Sequence, residues 1–183
     1  MKINLQECSG RHPAARPDSA PAVKNLTFEV THGEQLAVIG PSGAGKTTLL
    51  HLLACALGPV SGKILLDGVS PWTVGKSELT GIRQKLFLAP QVPPLPPRQR
   101  VVTSVLAGRL PQMGLWRSLR SLFYPVDIPA AHAALVQFDL ADKIFERVDR
   151  LSGGERQRVG LARGAVSDAS LFLIDEPLSA LDP

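Results

Sequence analysis

Cysteines, aromatic residues and long apolar runs are all scarce in this chain of 183 residues, and each scarcity removes a class of protein. Two cysteines, Cys8 and Cys55, do not make the framework of a disulfide-stapled secreted scaffold. Cys55 sits in an apolar stretch, where a buried free thiol is the expected state. With aromatics at only 5% of the chain, Trp72 and Trp116 read as packing or interface residues rather than stacking platforms for bases. No apolar run approaches the length needed to span a bilayer, and Met1 to Cys8 carries polar residues where a signal peptide needs its apolar stretch. The expectation is a soluble cytoplasmic chain that serves a membrane only through a partner. Charge is also unremarkable. Twenty basic against sixteen acidic side chains give +4 without a long basic tract, so nucleic-acid binding is not implied.

The chain does have ordinary globular composition, 44% apolar and 20% charged, enough for one domain with a real core. No solenoid-type repeat is visible. Met1 to Cys8 and Val23 to Thr31 alternate apolar with polar residues and predict antiparallel strands joined by a Pro- and Ala-rich connection. Gln35 to Ile39, Gly62 to Gly68, Leu86 to Ala89 and Leu171 to Ile174 read as further strands. Between about Val101 and Asp149 the pattern turns helical. Ala130 to Leu140 is amphipathic, and Leu115 to Phe123 combines apolar, aromatic and basic residues. The proline run from Pro90 to Pro97 reads as a stiffened connection rather than an SH3-type ligand.

One run carries chemistry directly: Gly40-Pro41-Ser42-Gly43-Ala44-Gly45-Lys46-Thr47 fits G-x-x-x-x-G-K-[ST]. Its glycines let successive N–H groups turn inward into an anion nest. Lys46 is expected to reach the β and γ phosphates of a nucleotide, and the Thr47 hydroxyl to ligate Mg²⁺. Thr47 to Ala54, with Thr48 in its first turn, predicts a helix whose positive end faces the phosphates. The blander reading is a Gly-rich turn that binds nothing. The strand ending at Ile174 delivers Asp175 and Glu176 to its C-terminal end, where α/β sheets bind ligands. Asp175 is the candidate Mg²⁺ holder, and Glu176 the group that polarises an attacking water. Two solvated acids at a strand end are the alternative.

Leu151-Ser152-Gly153-Gly154-Glu155 resembles the signature of ATP-binding cassette (ABC) ATPases, LSGGQ in most members and ending in Glu155 here. Ser152 and two glycines open a helix, so a hydroxyl, backbone N–H groups and the helix dipole face one point. The resemblance spans nearly the whole chain. It implies a P-loop α/β fold with a mainly parallel core sheet, a small antiparallel β subdomain and an inserted helical subdomain. Within a single domain over 1–183, residues of about 1–90 and 150–183 would be core, and about 91–149 the Q-loop and helical subdomain. It also implies that Ser152, Gly153, Gly154 and Glu155 face the γ-phosphate of ATP held by a second copy, and that Gln91 is the Q-loop glutamine sensing Mg²⁺ and water. Ser179 to Asp182 would form the D-loop. His12 falls where many members stack an aromatic residue on adenine, although a lone loop histidine is also often simply solvated.

Ser104 to Leu110, Leu115 to Leu119 and Leu140 to Lys143 are similar to the helical subdomain of phosphonate-import ATPases. That resemblance implies ATP hydrolysis driving uptake of phosphonate or a related oxyanion. The partners implied are a second ATPase copy, membrane permease subunits and, indirectly, a solute-binding protein, with the chain peripheral on the cytoplasmic face of the membrane. A non-transport ABC ATPase and an ATP-binding module with little turnover are the alternatives. The family continues past a D-loop to a switch histidine that has no candidate here, so the chain reads as C-terminally truncated, either a fragment or a short form.

Overall fold

The computed structural model describes residues 1–176 apart from Pro13 and Pro17, and of Leu122 the backbone alone; the expected D-loop at Ser179 to Asp182 lies outside the described residues. Two compact units divide the chain, Met1–Leu88 and Ala89–Pro183.

The first unit is built on three strands, β1 (Ile3–Gly10), β2 (Val23–Val30) and β3 (Ser61–Leu66), in the order β2-β1-β3. All pairings are antiparallel, with Ile3 opposite Val30 and Leu66, and Leu5 opposite Phe28 and Ile64. Period-two alternation puts Ile3, Leu5, Ile64 and Leu66 in the interior, each nearly or wholly buried. The hairpin after β3 turns on Asp67 and Gly68, both at positive φ, and is closed by paired bonds between Leu66 and Val69. Helix α1 (Lys46–Leu53) packs Leu49, Leu52 and Leu53 inward. Cys8 and Cys55 are buried free thiols, Cys55 as its apolar stretch predicts; burial pushes Cys55 up to about 11. Helix α2 (Lys76–Gln84) precedes β4 (Leu86–Ala89), which runs across the unit boundary.

One expectation fails here. Gln35 to Ile39 forms no strand. Leu36, Val38 and Ile39 are exposed, Ile39 by 93%. A parallel strand is stable only inside a ladder covered on both faces, and among the described residues nothing pairs with this run. Its apolar sequence alone does not make it a strand.

The second unit is mainly helical: α3 (Val101–Leu106), α4 (Leu115–Phe123), α5 (Ile128–Val136), α6 (Gly153–Ala165), and then β5 (Leu171–Ile174). Every residue of α3 is buried. Val101, Val102, Val105 and Leu106 form one core with Ala131, Leu135, Val159 and Ala162 of α5 and α6. Asp127 caps α5, its carboxylate accepting the Ala130 N–H at 3.1 Å, with a proline in the first turn as helix starts favour. That bond, with the Arg109 guanidinium beside it, holds the Asp127 carboxyl below the usual range. The amphipathic pattern that runs to Leu140 outlasts the helix, because Asp139 turns to positive φ and the Leu140 N–H reaches back to the Leu135 carbonyl. Gly108 is obligatory: a Cβ there would lie 2.0 Å from the Arg163 carbonyl of α6.

Candidate nucleotide site

In the first unit the loop from Gly40 to Lys46 is held by its own backbone. Gly43 and Gly45 sit at φ +80° and +90°, angles that β-carbon-bearing residues rarely adopt. Gly45 is doubly constrained, since a Cβ would stand 2.6 Å from the Ala22 carbonyl oxygen. The Ala44 N–H bonds the Pro41 carbonyl at 3.2 Å, and α1 begins directly after Gly45. Pro41 to Ala44 are exposed and within reach of a ligand. Lys46 folds over this loop, its Nζ donating to the Gly40 carbonyl at 2.8 Å and the Pro41 carbonyl at 3.1 Å. An ammonium has three N–H groups, so one remains for a further acceptor. A concave, cation-capped loop at the start of a helix suits a polyphosphate. Thr47 is exposed while Thr48 is buried beneath it. A cleft of about 250 Å³ opens beside the loop, lined by Ala22, Val23, Val38, Ile39, Lys46 and Leu49. His12 is not among its lining residues; its Nδ1 accepts the Ala14 N–H at 3.1 Å, a local turn contact.

In the second unit the carboxylate pair follows β5. Asp175 is 8% exposed, and its N–H bonds the Ala89 carbonyl at 2.9 Å. Glu176 is exposed and takes φ +46°, a left-handed conformation that a non-glycine residue holds only when its surroundings impose it. Two glutamines do so. Gln91 Nε2 donates to Glu176 Oε2 at 2.8 Å, and Gln157 Nε2 donates to the Glu176 backbone oxygen at 3.0 Å. The Gln91 amide oxygen, opposite the nitrogen bound to Glu176, is a hard donor suited to a divalent cation, as is the Asp175 carboxylate. Gln91 and Glu176 were both expected at the site; Gln157 was not. Nothing in its sequence position singles it out from a polar residue on a solvated helix face, and only its 96% burial in α6 reveals it.

The start of α6 is a full capping box. Ser152 Oγ accepts the Glu155 N–H at 3.2 Å, and Glu155 Oε2 accepts the Ser152 N–H at 2.7 Å. Those bonds, the backbone one foremost, hold the Glu155 carboxyl below the usual glutamate range. Gly153 and Gly154 begin the helix, where first-turn N–H groups lack intrahelical acceptors. About two turns on, Gly160 leaves room for the Pro93 ring, whose Cγ would lie 2.8 Å from a Cβ. The proline run is thus anchored to the helix that also carries Gln157.

A nest-forming glycine loop with its lysine, an Asp-Glu pair after an apolar strand and a capped Ser-Gly-Gly helix start define a nucleotide-binding cassette. The family model for ABC transporters matches residues 23–179, and the chain belongs to that family. It is 68% identical over all 183 residues to a Polaromonas protein named phosphonates import ATP-binding protein PhnC, and 66% identical to one from Albidiferax ferrireducens named phosphonates import ATP-binding protein PhnC 2. The chain spans 66% of the length of each. Among solved structures, an ATP-binding cassette captured as a dimer in a post-hydrolysis state bound to ADP and Pi superposes with TM-score 0.79 at 26% identity. That match covers 98% of this chain and 76% of that one. A bacterial Atm1-family ABC exporter with ATP bound superposes with TM-score 0.77 at 29% identity, covering 99% of this chain and 30% of that one.

Proposed function

We propose that this chain is the ATP-binding and ATP-hydrolysing part of an importer's motor subunit, and that the imported solute is phosphonate or a related oxyanion. The observation that carries the reading is the 68% identity to a phosphonate-import ATP-binding protein along the entire chain, helical segment included. In this reading 1–183 belong to one ABC ATPase domain, with 91–149 as its Q-loop and helical subdomain.

Lys46 and the Gly40 to Thr47 backbone bind the ATP phosphates, and Thr48 supports the first turn behind them. Thr47, Gln91 and Asp175 supply hard oxygen donors for magnesium, which when bound neutralises phosphate charge. Glu176, aimed by Gln91 and Gln157, accepts a proton from the attacking water. Ser152, Gly153 and Gly154 present their donors to the γ-phosphate held by a second copy, so two chains meet head to tail. Glu155 braces that helix start. His12 contributes at most adenine stacking. Closure on ATP and opening after hydrolysis drive a membrane permease that receives solute from a binding protein, with the chain peripheral at the cytoplasmic face.

The test is growth of a transporter-deletion strain on a phosphonate as sole phosphorus source, complemented by the gene containing this chain. Growth should return with the wild type and fail with Lys46→Ala. Growth rescue by Lys46→Ala, or none by the wild type alongside rescue on another oxyanion, refutes the mechanism or the solute respectively.

A further inference from the structure

Helix α4 turns serines toward its own protein. Ser121 is buried and Ser118 half-buried, their hydroxyls tied to the backbone: Ser121 Oγ donates to the Ser118 carbonyl at 2.9 Å, and Ser118 Oγ to that of Met113 at 3.4 Å. Of its apolar residues whose side chains are described, Leu115, Trp116, Leu119 and Phe123 are all exposed. Leu115, Leu119 and Phe123 recur at four-residue spacing along one stripe, and Trp116 and Tyr124 flank it. Trp116 is 84% exposed and Phe123 79%, with Leu115 and Tyr124 above 70%. Arg117 and Arg120 are exposed on the same short helix, and neither is ion-paired among the described residues.

The surrounding sequence is one-sided in charge. From Leu79 to Val126 the chain holds seven of its twenty basic side chains and none of its sixteen acidic ones. The rest of the chain is therefore slightly acidic, so the mild overall charge conceals a basic stretch. Aromatic rings beside arginines on an outward apolar stripe, without a carboxylate, match the headgroup layer of an anionic bilayer. Rings settle at the interface there, and guanidinium groups meet lipid phosphates. An anionic lipid surface supplies phosphate to both arginines at once, which matches this one-sided charge.

We propose that α4 is a direct lipid contact, laying Leu115, Trp116, Leu119 and Phe123 into the headgroup boundary of an anionic membrane with Arg117 and Arg120 on its phosphates. This contact is independent of the transported solute and of nucleotide. A helix of nine residues buries too little for firm anchoring, so the contact is reversible and acts together with other membrane attachments.

The full chain would be sedimented with phosphatidylcholine vesicles and with vesicles containing roughly a third phosphatidylglycerol. Trp116 emission would be followed in a Trp72→Phe background. The wild type should bind the anionic vesicles with a blue shift of Trp116 and leave the zwitterionic ones. Arg117→Glu/Arg120→Glu should weaken binding by at least about tenfold, because each basic side chain near such a surface contributes roughly fivefold. Trp116→Ala/Phe123→Ala should do likewise, with far-ultraviolet circular dichroism unchanged because the replaced side chains are exposed. Failure to bind anionic vesicles, as expected if a protein covers this face, overturns the proposal. So does equal binding to both vesicle types, or binding retained by both double variants, which would point instead to the exposed run Leu36 to Ile39.

Discussion

Replacing Gln157 with leucine tests the wiring of Glu176, the carboxylate proposed to act on the attacking water. Gln157 is 4% exposed, and its amide donates to the Glu176 carbonyl at 3.0 Å and thereby holds a residue at φ +46°. A left-handed non-glycine residue is strained by roughly 1–2 kcal/mol, so competing backbone conformations lie close in energy. Leucine nearly preserves the volume but leaves the carbonyl without its donor, a loss of about 1–3 kcal/mol. A shift of about 1.4 kcal/mol in that local balance lowers the population of the aimed carboxylate, and hence kcat, about tenfold. KM for ATP should stay within about twofold, because the lost bond is to Glu176, which is proposed to act on the attacking water rather than to bind ATP. Gln157→Met, of similar length but without an N–H, should fall by a similar factor. Steady-state phosphate release measures both, with thermal melts to check folding. Unchanged kcat in both variants, or an effect confined to KM, would refute the reasoning.

Three further outcomes follow from the same geometry. Glu176→Gln should keep ATP affinity and slow single-turnover hydrolysis by roughly 10²–10⁴-fold, seen by quenched-flow product analysis. Gly45→Ala, forced to φ +90° with its Cβ 2.6 Å from the Ala22 oxygen, should lower the thermal midpoint and weaken ATP binding together. Glu155 gives a pH dependence whose sign is fixed. Its folded pKa is depressed, so the cap's contribution is present above the ordinary glutamate pKa and is lost as pH falls through the lowered value. Protection factors at the start of α6, with the intrinsic pH dependence of amide exchange divided out, should therefore fall on acidification, and Glu155→Gln should abolish that dependence while leaving the rest of the protection pattern intact.

Much of this was legible in the sequence because the signals were local. The P-loop glycines, the Asp-Glu pair after four apolar residues and the Ser-Gly-Gly-Glu cap each need only neighbours to take their shape, and strands β1, β2, β3 and β5 fell within a few residues of their patterns. What local pattern could not supply was partnership between distant segments. Gln35 to Ile39 has a strand's composition but no ladder, so it stays irregular. Gln157 looks like any polar helical residue until burial aims it at Glu176, nineteen positions away. The periodicity of α4 was plain, but periodicity gives two faces without saying which is inside, and the structure turns its serines inward.

The Gly40 to Thr47 loop is proposed to hold the phosphates of ATP through Lys46. Equilibrium titration of the wild type and Lys46→Ala with ATP and magnesium tests this proposal most directly. The wild type should bind saturably, and Lys46→Ala should weaken binding at least about a hundredfold through loss of the loop's ammonium. Equal affinity in the two proteins, or no ATP binding by a folded wild type, would contradict it.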